Sequence, residues 1–192
     1  MNGQGFDKAN LIRLLKTHAL KWGDFTLASG KKSPFYIDGR LVTLSAEGAH
    51  CIADGVLEVL KQYPEVKAIG GLTMGADPIV GAVLARASDW GRSELKGFLV
   101  RKATKDHGTG KLVEGPLEPG MPVVIVDDVA TTGGSSLQAV DAVIQAGANV
   151  VAVIVVLDRL QGADRTFTDR GLNFHALSDA NDLGLPSAQS SG

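Results

Sequence analysis

Between Ala49 and Leu60 the apolar residues recur at three and four: Ala49, Ile52, Ala53, Val56, Leu57 and Leu60. That spacing places them on one stripe of a helix, and Ser45 stands just ahead as its N-cap. An earlier stripe of Leu11, Leu14, Leu15, His18 and Trp22 predicts a first helix, running from an Asp7 cap to about Trp22. Between the two, "FTLASGKKSPFYID" predicts two short strands about a turn. After Leu60 the pattern changes. Four short apolar runs, "VKAIGGL", "LKGFLV", "PVVIVDD" and "NVVAVIVVLD", alternate with helical stretches. Asp77 and Pro78 read as the N-cap and first-turn proline of one helix. Another helix is predicted from Gly134 to Ala146, with Gly147 placed to end it. Strands apolar at every position are buried on both faces, which predicts an α/β fold with a mostly parallel central sheet flanked by helices. No internal repeat is present. The stretch from Lys102 to Gly120 has no periodicity and is long for a connection, so it is either a functional loop or a disordered one.

Composition narrows the class without naming a function. The chain of 192 residues suits a single domain. Its net charge of −2 gives no footing for nucleic acid or an anionic membrane. A lone cysteine, Cys51, permits no intrachain disulfide and reads as a small buried residue in a reducing compartment. The first residues, "MNGQGFDKANLIRLL", lack an apolar signal core. No apolar run approaches the roughly 18 residues of a spanning helix. The expectation is a cytoplasmic protein with no membrane or nucleic-acid partner.

The chemistry concentrates in "VVIVDDVATTGGSS", Val123 to Ser136. In a parallel sheet, ligands bind beyond the carboxyl ends of the strands. Asp127 and Asp128 are read at such an end. Thr131 to Ser136 follow with backbone N–H groups and hydroxyls at a helix start, which suits a phosphate. Two adjacent carboxylates ask for sugar hydroxyls or a magnesium ion. Together these features describe a site for a phosphorylated sugar; the other reading of the same residues is one Asp capping the turn, with ordinary loop chemistry in the rest. Neither G-x-x-x-x-G-K-[ST] nor G-x-G-x-x-G occurs, so the mononucleotide and dinucleotide loops are excluded.

"VVIVDDVATTGG" resembles the phosphoribosyl-diphosphate (PRPP) signature of the type I phosphoribosyltransferases. The resemblance implies that fold in one domain: a small N-terminal hood over residues 1–44, a PRPP-binding core over about 45–160 and a C-terminal tail over about 178–192. It implies that Asp127 and Asp128 hold the ribose 2′- and 3′-hydroxyls. It also implies that Val129, Ala130, Thr131, Thr132, Gly133, Gly134 and Ser135 wrap the 5′-phosphate. Magnesium is implied nearby, held mainly through substrate and water.

"RKATKDHGTGKLVEG", Arg101 to Gly115, resembles the catalytic lid of the orotate phosphoribosyltransferases in spacing and order. Arg101, Lys102, Lys105 and His107 match position by position, which implies PRPP contacts for all four. Catalytic roles are implied for Lys102, Lys105, His107 and Asp128. A mobile cationic loop can close over pyrophosphate and stabilise its leaving charge. His107 or Lys105 could protonate it, and the residues leave both open. In that family the lid serves the neighbouring subunit, which implies a homodimer with shared active sites. "FTLASGKKSPFYIDGR" resembles the family's hood over the base, and "VLDRLQGA" puts Arg159 where its orotate-binding arginine falls. Thr131 and Tyr36 are the further orotate contacts implied. The implied reaction joins orotate to PRPP and releases pyrophosphate, giving orotidine 5′-phosphate in pyrimidine synthesis.

Two positions depart from the family pattern. Ala28 and Met74 stand where many relatives carry lysines that face substrate. The loop from Leu72 to Ala76 could still bind pyrophosphate through backbone N–H groups, helped by Gly75. His18, His50 and His175 match nothing functional and are read as helix-face or surface residues. A related enzyme acting on a purine or another pyrimidine is one rival reading, and it leaves Arg159 without a carboxylate partner. A PRPP-sensing regulator is another, and it asks for a basic patch that the chain lacks outside the lid.

Overall fold

The computed structural model describes residues 5–26, 32–102 and 112–186. Helix α1 (Lys8–Leu14) starts as expected, with the Asp7 carboxylate accepting the Asn10 N–H. It continues as a π-helical turn, Leu15–Ala19, and then stops. Strand β1 (Leu20–Thr26) takes over and pairs antiparallel with β2 (Lys32–Ile37), Trp22 opposite Phe35. The helix therefore ends before Trp22, which is 61% exposed, and His18 is exposed as well. The buried stripe is Leu11, Leu14, Leu15 and Ala19. The aromatic residues favour a pleated, paired surface, and cross-strand partners override the helical spacing.

A short helix α2 (Arg40–Thr43) leads into α3 (Ala46–Leu60), where Ser45 Oγ accepts the Gly48 N–H as the cap. Then come β3 (Ala68–Leu72), α4 (Asp77–Arg86), β4 (Lys96–Val100), β5 (Val113–Glu114) and β6 (Pro122–Ala130). The chain closes with α5 (Gly134–Gln145), β7 (Asn149–Asp158), α6 (Ala163–Thr168) and β8 (Asn173–Asp179). The six strands lie in the order β5-β4-β3-β6-β7-β8, all parallel except β5. Both faces are covered. Val124 and Val126 pack with α3 and α4, while Val123 and Ile125 pack with α5 and with Phe167 of α6.

Several boundaries differ from the sequence reading, each for a local reason. Asp77 is the first residue of α4 and Ala76 is the N-cap, because the Ala76 carbonyl already accepts the Val80 N–H at 2.9 Å. Strand β6 runs on to Ala130 because β7 pairs with it that far. The segment from Lys102 to Gly120 is not all irregular: β5 returns antiparallel along β4, so its base is tied to the sheet. Strand β8 was not predicted; it sits at the sheet edge and mixes buried with exposed positions. His175 lies on β8, half-buried, with Nε2 2.6 Å from the Tyr63 hydroxyl, and burial lowers its pKa. Ala180, Leu183 and Leu185 are buried, so the chain packs on the core well past residue 178. Gly147 ends the α5 region in the left-handed conformation, φ 88°. Cys51 is buried, and burial pushes its thiol up to about 11, which leaves it inert as a nucleophile.

Candidate active site

The strand order fixes where a ligand belongs. From β3 the chain moves outward to β4 and β5, then returns to β6 on the other side and moves outward again to β7 and β8. The loops leaving β3 and β6 therefore diverge and open a crevice at the carboxyl end of the sheet. A cleft of about 280 Å³ lies there. The hood exit supplies Tyr36, Asp38, Gly39 and Arg40. The loop after β3 supplies Thr73, Met74 and Gly75, and Lys102 follows β4. Asp127, Asp128, Val129 and Ser135 complete the wall.

The two aspartates are not equivalent. They lie within β6 rather than beyond its end. Asp127 is only 5% exposed, and both its oxygens accept bonds from the protein. Oδ1 takes the Asp128 N–H at 3.0 Å and Oδ2 takes the Ser136 hydroxyl at 2.8 Å. Burial pushes its pKa up to about 7, against the lowering effect of the Ser136 bond. Asp128 is half-buried, and its Oδ1 accepts the Val129 N–H at 2.9 Å. Two glycine backbones press on the pair. A Cβ on Gly75 would stand 2.5 Å from Asp127 Oδ1, and one on Gly39 would stand 3.0 Å from Asp128 Oδ2. No side chain fits at either position without moving a carboxylate.

Beyond β6 the chain makes the predicted turn through Thr131 and Thr132 into α5. Gly133 is its N-cap at φ 83°, with no side-chain cap and no acid in the first turn. The first N–H groups of this helix are thus open to an anion. Helix α6 braces the turn: Thr166 Oγ1 donates to the Thr132 carbonyl at 2.8 Å, and a Cβ on Gly133 would meet the Phe167 ring at 2.8 Å. This brace was not legible as a functional element.

Arg159 follows β7 directly, and its N–H donates to the Ala130 carbonyl at 2.9 Å, which hooks it to the end of β6. Its guanidinium lies over the Phe35 ring, Cζ 5.1 Å from the centroid. Nε is buried without a hydrogen-bond partner among the described residues, and burial lowers the pKa. Phe35 in turn meets Trp22 edge-on at 5.9 Å. Phe35 and Tyr36 take opposite faces of β2: Phe35 backs Arg159, and Tyr36 is on the cleft wall. Neither Arg159 nor Thr131 lines the cleft itself.

Of the lid residues, Lys102 is exposed on the cleft wall. Arg101 is anchored by its N–H to the Leu112 carbonyl at 2.8 Å, with Nη1 3.7 Å from Glu114 Oε1. Lys105 and His107 lie outside the described residues, as do Lys111 and Ala28. Met74 is exposed at the cleft. Sequence reasoning missed the Asp38–Arg40 pair. Arg40 Nε and Nη2 grip the Asp38 carboxylate at 2.8 and 3.0 Å, and Arg40 holds that carboxyl below its usual range. The signal was the D-x-R of "FYIDGR", read only as part of a cover.

A magnesium ion can be tested against these groups. No cluster of three His, Cys, Asp or Glu side chains suited to a metal occurs among the described residues. Asp127 is closed by its own hydrogen bonds and Asp38 by Arg40, which leaves Asp128. One carboxylate beside a polar cleft fits magnesium that keeps its waters and takes most of its oxygens from a substrate.

Residues 55–172 match the phosphoribosyl transferase domain family. Over 184 residues the chain is 45% identical to an orotate phosphoribosyltransferase of Rhodopirellula baltica, covering 93% of this chain and 95% of that one. This chain belongs to the orotate phosphoribosyltransferase family. An orotate phosphoribosyltransferase of Synechocystis is 45% identical over 174 residues, 90% of this chain and 86% of that protein. Among solved structures, the Mycobacterium tuberculosis orotate phosphoribosyltransferase in complex with Fe(III) dicitrate superposes with a TM-score of 0.83 at 36% identity, covering 93% of this chain and 99% of that one. The same enzyme in complex with PRPP gives a TM-score of 0.77 at 32% identity, again over 93% and 99%. The fold is therefore the type I phosphoribosyltransferase fold, as the sequence led us to expect.

Proposed function

We infer that this protein transfers the phosphoribosyl group of PRPP to orotate, forming orotidine 5′-phosphate and releasing pyrophosphate. The observation that carries the reading is three features gathered about the end of β6, to which Arg159 is hooked through the Ala130 carbonyl. They are the Asp127–Asp128 pair, the open first turn of α5, and a half-buried arginine stacked behind the hood.

Each part has a physical task. The turn from Thr131 to Ser135 takes the 5′-phosphate on backbone N–H groups. Asp128 accepts from the ribose diol, and Asp127 supports it from the more buried side. Arg159 offers its Nη groups to the orotate carboxylate; its flat face is already covered by Phe35, so the fork is oriented before substrate arrives. As the anomeric bond to pyrophosphate breaks, negative charge grows on the leaving oxygens. Lys102 meets it from the cleft wall, joined by Lys105 and His107 of the lid. N1 of orotate then bonds to the anomeric carbon with inversion, and the proton it carried passes to the departing pyrophosphate. Magnesium, when bound with PRPP, supplies further charge neutralisation on the diphosphate, and Asp128 is the side chain that would reach its water shell.

The lid acting across a two-fold homodimer is part of the same proposal; the strands that flank it, β4 and β5, lie at the sheet edge. No helix among the described residues is long and apolar enough to cross a membrane, and we place the enzyme in the cytoplasm. The purine rival is disfavoured by Arg159, whose guanidinium fork would have no carboxylate to bind on a neutral base. The deciding experiment follows orotate absorbance with purified protein. Loss of absorbance that requires both PRPP and magnesium supports the reading, and consumption of PRPP with adenine but not orotate overturns it.

A further inference from the structure

Adjacent serines open α5, and they face opposite ways. Ser135 is exposed and lies on the cleft wall, within the turn assigned to the phosphate. Ser136 is 1% exposed and turns inward. Its hydroxyl donates to Asp127 Oδ2 at 2.8 Å, a contact between β6 and the first turn of α5. The other oxygen of Asp127 is held by the Asp128 N–H at 3.0 Å, and the Gly75 backbone closes that side. Asp127 is therefore clamped at both oxygens. One of the clamps grows from the same helical turn that offers its N–H groups to an anion.

We propose that Ser136 is a positioning residue for ribose recognition: through Asp127 it fixes the diol-binding carboxylates relative to the 5′-phosphate turn. PRPP and orotidine 5′-phosphate both carry a phosphate and a diol on one ribose, a few bonds apart. A site that holds both ends gains only if its own two ends keep their spacing. The Ser136–Asp127 bond spans those two ends inside the protein. Orotate has no ribose and does not sense that spacing. The proposal rests on the transferase reading above, and it concerns the ribose-bearing ligands alone.

The test is direct binding, measured by calorimetry, of PRPP with magnesium, of orotidine 5′-phosphate and of orotate. Ser136→Ala leaves a buried carboxylate oxygen without its donor. It is expected to weaken PRPP and orotidine 5′-phosphate about 5- to 30-fold, with orotate within about twofold. If Ser136→Ala melts too low to assay, Ser136→Cys keeps the shape with a weak donor and is expected to show the same split. A double-mutant cycle gives the second readout. On an Asp127→Asn background, Ser136→Ala is expected to add less than about twofold, because its effect passes through Asp127. The proposal is overturned if a folded Ser136 variant binds both ribose ligands like the parent. It is also overturned if all three ligands weaken equally, or if the double variant shows the product of the single effects. A parent protein that binds neither PRPP nor orotidine 5′-phosphate would instead overturn the transferase reading, so the two failures are distinct.

Discussion

Gly75→Ala probes the acidic pair from the opposite wall of the cleft. A Cβ built on Gly75 stands 2.5 Å from Asp127 Oδ1 and 2.9 Å from Asp128 Oδ1. To reach the 3.4 Å of ordinary contact, the first oxygen must move by about 0.9 Å and the second by about 0.5 Å. The loop cannot easily retreat instead. Thr73 N–H is bonded to the Val100 carbonyl at 2.8 Å, and Ala76 N–H to the Leu72 carbonyl at 3.2 Å. Nor can Asp127 swing freely, since Ser136 and the Asp128 N–H hold both its oxygens. The carboxylates therefore shift by a substantial fraction of an ångström relative to the phosphate turn. A misplacement near 1 Å in a binding constellation costs on the order of 10²-fold in rate. Steady-state kinetics with PRPP varied at saturating orotate should show kcat/KM for PRPP lowered by roughly that factor. KM for orotate should change far less. A melting curve separates this from unfolding: the variant is expected to stay folded at the assay temperature. Retention of kcat/KM for PRPP within about threefold would refute the claim that Gly75 sets the position of the pair.

Other expectations follow from the same geometry. Arg159→Ala should raise KM for orotate by about 10- to 150-fold, the size of a lost charge-assisted contact, and leave KM for PRPP nearly unchanged; equal changes would make the arginine merely structural. Burial raises the Asp127 pKa to about 7, so the folded protein holds that proton more tightly than the unfolded chain. Its contribution to stability is full below roughly pH 4, the unfolded value, and is lost as pH rises through about 7. Asp127→Asn should flatten this fall, melting higher than the parent at pH 8 while binding PRPP less well; thermal melts across pH test the sign. Lys105→Ala should lower kcat by about 10²–10³ with a smaller effect on PRPP binding. Mixing it with Asp128→Ala subunits should restore about a quarter of parent activity if lids serve the neighbouring subunit. No recovery after confirmed subunit exchange would place each lid over its own site.

The legible parts of this molecule were those whose signal is local. The "PVVIVDD" and "NVVAVIVVLD" runs become β6 and β7, flanked by α5 with its start at Gly134 and its terminator at Gly147. The Ala49–Leu60 stripe becomes α3, capped by Ser45. What escaped depended on partners distant in sequence. Trp22 satisfied a helical spacing, but Phe35 lay across a hairpin to pair with it. Strand β8 has too few buried positions to announce itself and exists because β7 offers it an edge. Arg40 stood in the sequence only as part of the hood stretch, whereas in the fold it lies on the cleft wall and grips Asp38, its neighbour two residues away.

The division of labour between the two aspartates lies between these cases. Read as adjacent letters they are identical. Read with a two-residue period, Asp127 continues the row of Val123 and Ile125, and Asp128 the row of Val124 and Val126. The first row packs against α5 and the second against α3 and α4. Asp127 was thus bound to face the helix that follows it. That helix begins only a few residues later, so a small donor in its first turn was the natural partner for a carboxylate taken out of water. Ser136 is that donor. Asp128, on the other row, meets the Gly39 and Gly75 backbones, where the cleft opens. Both carboxylates at the mouth of this strand still reach the cleft wall. Strand alternation leaves Asp127 the more buried of the two, and a hydroxyl from the next element makes that burial tolerable.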